Sequence, residues 1–82
     1  MLAFCYALPN VGDIVTGEIY EHNYALYIKL INTDIVAILE ESVKMNAQKY
    51  FKYRDKLIGK TVKVRVVKVD YTKGYIDVTH NH

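Results

Sequence analysis

Residues 61–79 read TVKVRVVKVDYTKGYIDVT, and this stretch decides the fold. Val62, Val64 and Val66 alternate with Lys63 and Arg65, the period of two expected of a half-buried strand. The adjacent pair Val66-Val67 breaks the alternation and predicts a bulge or a sharp coil. Thr72-Lys73-Gly74 is a hairpin loop with glycine where φ turns positive. Tyr75 to Thr79 then returns as a partner strand.

Upstream, Gly59 stands where the left-handed residue after a helix belongs. Before it, Lys44 to Ile58 predicts an amphipathic helix of about three to four turns. Ala47, Tyr50, Phe51, Leu57 and Ile58 fall near one face, with Lys44, Lys49, Lys52 and Lys56 mostly outside it. Three strands precede the helix: Ile14 to Tyr20, Tyr24 to Ile31 and Ile35 to Leu39. Leu26, Ile28 and Leu30 share one face of the second. Glu21-His22-Asn23 and Asn32-Thr33-Asp34 read as the turns, and Pro9 to Asp13 as the lead-in. The order β-β-β-α-β-β is that of a five-stranded antiparallel OB-fold barrel, an all-β architecture with one helix between strands 3 and 4. Closing the sheet removes the exposed edges that make small β proteins associate. No repeat or linker divides residues 1–82, so they form a single domain.

The 82 residues are 51% hydrophobic and 24% charged, which excludes a disordered or low-complexity segment. Cys5 is the one cysteine, so a disulfide-stapled secreted module is excluded and a reducing compartment is expected. The N-terminal MLAFCYALPN lacks the basic region and apolar core of an export signal. No apolar run approaches the roughly 18 residues that cross a bilayer. The net charge of +2 conceals a polarity: residues 1–43 carry Lys29 against six carboxylates, whereas residues 44–73 carry ten cations against Asp55 and Asp70. A basic half draws polyanions or acidic protein surfaces; a solvated lysine face with no partner is the plain alternative.

No arrangement for catalysis emerges. Cys5 and the histidines His22, His80 and His82 form no nucleophile or zinc pattern, and His80-Asn81-His82 reads as a frayed terminus. Asp70 and Asp77 flank the last hairpin, where a salt bridge to Lys73 explains them as well as acid–base work does. The four glycines are isolated, so no loop cradles phosphate. An enzyme is not expected, nor is a cofactor or a metal. An RNA-binding OB-fold module is the alternative function, because such folds combine a basic groove with stacking rings. Tyr20, Tyr24 and Tyr27 sit in the first hairpin, but in the acidic half of the chain, and core or rim packing accounts for most tyrosines equally well.

The run Val64-Arg65-Val66-Val67-Lys68-Val69-Asp70-Tyr71-Thr72-Lys73-Gly74-Tyr75-Ile76-Asp77-Val78 resembles the end of the N-terminal OB domain, of the S-one type, of the alpha subunit of eukaryotic translation initiation factor two. Pro9 to Gly17 and Ala37-Ile38-Leu39 match the same layout, so the likeness spans nearly the whole chain. The factor is longer and multi-domain; a free-standing copy of its first domain resembles the small poxvirus mimics of the factor. That resemblance implies a pseudosubstrate inhibitor of the interferon-induced, double-stranded-RNA-activated protein kinase. It implies a monomer that occupies the kinase domain in the cytoplasm of the infected host cell, so that viral translation continues.

The resemblance also assigns positions. The kinase-docking residues are Lys73, Gly74, Tyr75, Ile76 and Asp77, with Tyr75 as an amphipathic anchor between two charges. The acceptor-loop mimic is Lys44, Met45, Asn46 and Lys49, with Met45 at the acceptor position within one or two residues. No phosphorylatable serine stands there, and scattered lysines replace the factor's arginine run. Ser42 aligns with an upstream serine. The stretch from Lys44 to Arg54 is expected to face the catalytic cleft, and RNA affinity is expected to be weak and secondary.

Overall fold

The computed structural model describes residues 8–80, so Cys5, Asn81 and His82 lie outside the described residues. Five strands and two helices follow in the order β1 (Ile14–His22), β2 (Ala25–Leu30), β3 (Val36–Leu39), α1 (Glu40–Lys44), α2 (Ala47–Leu57), β4 (Thr61–Asp70) and β5 (Tyr75–Thr79). The strands close into a barrel in the order β1-β2-β3-β5-β4, with β4 returning to β1. This is the expected OB-type barrel, and its last strand runs from Tyr75 to Thr79 as read.

Period-two patterning fills the interior. Ile19 from β1, Leu26 and Ile28 from β2, Leu39 from β3, Val64 and Val66 from β4, and Ile76 and Val78 from β5 are fully buried. Each such side chain contributes about 1.5–3 kcal/mol of transfer free energy. Gly17 of β1 is also buried, for a reason composition does not reveal. A Cβ there would lie 2.4 Å from the Lys29 carbonyl oxygen and 2.7 Å from the Ile28 side chain. Only a residue without a side chain lets β1 and β2 approach so closely.

The Val66-Val67 irregularity is a bulge: Val66 pairs with Val78, but Lys68 pairs with Asp77. The extra residue turns Lys68 onto the outer face already occupied by Lys63 and Arg65. Gly59 takes φ +80°, and its N–H donates to the Ile19 carbonyl at 2.9 Å, which ties the end of α2 to the barrel.

Four features depart from the sequence reading. The barrel closes through a parallel pairing of β3 with β5, Ile38 opposite Asp77 and Leu39 opposite Val78, while the other four pairings are antiparallel. The helical crossover between β3 and β4 makes the parallel contact possible. The helix expected over 44–58 is the shorter α2, and a further helix, α1, precedes it across a break at Met45-Asn46. Asn46 stays extended (φ −71°, ψ 168°) and its Oδ1 accepts from the Lys49 N–H at 2.9 Å, so capping wins over continuation. The buried stripe of α2 is narrower than expected: Tyr50 and Leu57 are buried, whereas Ala47, Phe51 and Ile58 are exposed. Finally, β1 runs on to His22, because the turn is the two-residue loop Asn23-Tyr24, with φ 51° and 61°.

Candidate functional site

The β4–β5 loop is held from within by Asp70. Its Oδ1 accepts from the Thr72 N–H at 3.1 Å and the Lys73 N–H at 3.0 Å. The Gly74 N–H donates to the Asp70 carbonyl at 2.7 Å, with Gly74 at φ +75°. Tyr71 anchors the outside by donating its Oη hydrogen to Asn10 Oδ1 at 3.1 Å. The backbone on either side of Tyr75 is therefore fixed, and its ring, 67% exposed, projects into solvent.

Lys73 is exposed and has no carboxylate within ion-pair distance among the described residues. Asp77 is half-buried, between Ile38 on one side and Lys68 on the other. Ile76 differs from the surface role expected of it: its side chain is 1% exposed and belongs to the core. It holds its neighbours in place and presents nothing outward. Along the same edge β3 and β5 share only two register pairs and then diverge. An open groove of ≈ 700 Å³ results, with Tyr27, Val36, Ile38, Lys73, Tyr75 and Asp77 on its walls.

The second cluster sits at the far end of β5. Tyr75 to Val78 is three strand steps, about 10 Å, and α1 departs where Leu39 pairs with Val78. Thr79 Oγ1 and the His80 N–H each donate to Glu41 Oε2 at 2.9 Å, which clamps α1 against β5. Ser42, the one serine in the sequence, is 3% exposed. It accepts from the Leu26 N–H at 3.0 Å and donates to the Leu39 carbonyl at 2.7 Å. A hydroxyl so committed supports the fold and is closed to a phosphoryl donor.

Of the acceptor-loop residues, Lys44 pairs with Glu40 at 3.2 Å across one exposed helical turn, which is worth little. Met45 is half-buried against the core with an extended backbone. Asn46 and Lys49 are exposed, and Asn46 spends its side chain on the cap. The structure thus brings Lys44, Met45, Asn46 and Lys49 together at one junction between two helices. Arg54 differs from its expected orientation toward a partner. Its guanidinium lies 3.6 Å from Glu21, 3.1 Å from Asp55 and 4.9 Å from the centre of the Phe51 ring.

Sequence reasoning missed the clasp that turns Arg54 inward. Tyr50 donates its Oη hydrogen to Glu21 Oε2, and Arg54 approaches the same carboxylate. Tyr50 and Arg54 are four residues apart on α2, and that spacing was the only available signal. Burial, then the Glu21 hydrogen bond, pushes the Tyr50 phenol far above its ordinary range. Burial and nearby Glu41 push Tyr53 up to about 12. In the first hairpin Tyr20 and Tyr27 stack at 5.8 Å and 23°, with His22 edge-on to Tyr27 at 6.1 Å. Among the described residues no three histidine, cysteine or carboxylate side chains cluster as metal ligands, and no helix is long and apolar enough to cross a membrane.

Comparison with known proteins places these features in a family. The model of the S1 RNA binding domain matches residues 8–81. Protein K3 of vaccinia virus (strain Western Reserve) is 63% identical over 81 residues, covering 98% of this chain and 92% of that protein. The K3 homolog of swinepox virus (strain Kasza) is 42% identical, covering 95% of this chain and 91% of the relative. The crystal structure of the K3 protein from the Wisconsin strain of vaccinia virus superposes with a TM-score of 0.86, at 59% identity over 94% of both chains. A chain in the crystal structure of the a/eIF2alpha–aDim2p–rRNA complex from Pyrococcus horikoshii matches with a TM-score of 0.68 and 27% identity, over 89% of this chain and 45% of that one.

Proposed function

This chain belongs to the S1 RNA-binding domain family and, within it, to the eIF2alpha-like K3 proteins of poxviruses, and from that premise we propose that it is a pseudosubstrate inhibitor of the host double-stranded-RNA-activated protein kinase. It docks on the kinase domain in place of initiation factor two alpha, in the cytoplasm of the infected cell. The factor then escapes phosphorylation and viral translation continues.

The observation that carries the reading is the state of the acceptor segment on an eIF2alpha-like barrel. Met45 offers a thioether where the resemblance puts the acceptor, and Ser42 has its hydroxyl locked between Leu26 and Leu39. A domain that docks but presents no accessible serine hydroxyl blocks the site without being consumed. The second support is the corner at the other end of β5, where the exposed Tyr75 stands on a loop braced by Asp70. Docking through a rigid loop loses little conformational entropy. Lys73 and Asp77 supply charge-assisted contacts beside the ring.

The test is steady-state inhibition of factor phosphorylation by the recombinant kinase domain. Inhibition competitive with the factor, at unchanged affinity for ATP and with no phosphoserine formed on this chain, is the expected result. Competition with ATP alone would sink the reading. RNA binding is the second reading, favoured by the stacked Tyr20–Tyr27 pair on a domain of an RNA-binding family. It predicts tight, steeply salt-dependent RNA binding without kinase contact; under the pseudosubstrate reading, RNA affinity at physiological salt is low.

A further inference from the structure

The connection between β1 and β2 is made by two residues in left-handed backbone, Asn23 at φ 51° and Tyr24 at φ 61°. Such loops favour Asn followed by Gly. Asn tolerates the first position, but a bulky residue at the second is an outlier. Packing does not repay the misfit: Tyr24 is 75% exposed, more than any other large hydrophobic residue described. Its hydroxyl has no hydrogen-bond partner among the described residues. Strain that the fold does not use is a pointer to function.

The ring stands at an open groove of ≈ 540 Å³ between the first hairpin and the α1–α2 junction, with Val43, Met45, Ala47 and Phe51 on its walls. Val43 is 54% and Phe51 40% exposed. Lys49 and Lys52 share α2 with Ala47 and Phe51, exposed and without a carboxylate in ion-pair reach among the described residues. The patch is thus an apolar hollow with a projecting tyrosine, walled in part by a helix that carries two unpaired lysines.

We propose that Tyr24 is a third docking residue, which enters an apolar, acid-rimmed recess of the kinase domain beside its substrate cleft. The proposal rests on the pseudosubstrate reading, because Met45 of the acceptor mimic lines the same groove. The unpaired lysines complement an acidic rim and fix the sign of charge on the partner. The strained turn holds the ring in position before the partner arrives, so little freedom is lost on docking.

Stability and binding should move in opposite directions. Tyr24→Gly removes the left-handed misfit and almost no packing, and should raise Tm by about 4 °C after allowing for glycine's freedom in the unfolded chain. The same variant should weaken inhibition of the kinase about 10–30-fold. Tyr24→Phe should leave both quantities near wild type, because the ring is kept. Three results would overturn the assignment: a stabilised Tyr24→Gly that inhibits fully, a Tyr24→Gly that melts lower than wild type, or a folded Tyr24→Phe that fails to inhibit. A wild-type chain that does not inhibit would overturn the proposed function together with it, and is distinguished by the absence of inhibition before any substitution is made.

Discussion

Replacing Tyr75 with alanine separates docking from folding. A tyrosine buries about 150–250 Å² when fully enclosed. Tyr75 is 67% exposed, so roughly 100–170 Å² remains to be covered by a partner. At about 25 cal/mol per Å² this is ~2.5–4 kcal/mol gross, less about 1 kcal/mol for immobilising the side chain. The net is ~2 kcal/mol, on the order of thirtyfold in inhibition constant. The covered third of the ring costs the fold no more than ~1–2 kcal/mol when removed. The assay is a dose–response for inhibition of factor phosphorylation, with a thermal melt by circular dichroism to establish that the variant is folded. Lys63→Ala is the control, since Lys63 is exposed on β4 away from the corner. If basicity alone drives binding, Lys63→Ala and Lys73→Ala hurt equally and Tyr75→Ala hurts little. Full inhibition by folded Tyr75→Ala would refute the corner as a docking site.

Other outcomes follow from the same structure. Asp70→Ala removes the acceptor of two loop N–H groups; it should weaken inhibition about three- to tenfold through loss of order around Tyr75, measured with the same dose–response. Gly17→Ala forces a methyl group onto the Lys29 carbonyl and should destabilise by at least ~2 kcal/mol, read from urea denaturation. Tyr53 holds its proton more tightly folded than unfolded, because its folded value lies near 12 against an ordinary value of 10. Its contribution is therefore intact below pH 10 and lost as pH rises toward 12. Tyr53→Phe should flatten that alkaline decline in Tm and leave the neutral range unaffected by this titration.

How far the sequence could be read depends on how local each cause is. The β4–β5 hairpin, the Val66-Val67 bulge and the turn glycine Gly74 follow from a few adjacent residues, and all appear where expected. The break at Asn46 was equally local, but its capping signal was hidden inside an amphipathic pattern that runs across it. The exposure of Phe51 and Ile58 was not legible, because only Tyr50 and Leu57 of α2 are buried in the core. Contacts between distant segments left almost no mark, the four-residue spacing of Tyr50 and Arg54 aside. The parallel β3–β5 closure, the Glu21–Tyr50–Arg54 clasp and the demand for glycine at position 17 depend on which elements meet. Within the candidate site, only the resemblance singled out Tyr75, because core or rim packing accounts for most tyrosines equally well. The inward turn of Ile76 follows from strand alternation, though a motif read as one continuous surface obscures it.

The parallel closure also sets when folding can finish during synthesis. β5 is the last strand of the barrel, yet it pairs with both β3 and β4 and carries Ile76 and Val78 into the core. A nascent chain that has reached only Asp70 holds four strands, with β3 and β4 each lacking a neighbour. Its interior is open along the whole seam. Until residues 75–79 leave the ribosome, such an intermediate exposes strand edges of the kind that aggregate or recruit chaperones. Productive folding is then a late event that joins segments far apart in sequence, such as Gly17 with Val62, and it is slow for a domain of this size. A premature stop within the last strand would remove both the closing pairings and part of the core at once.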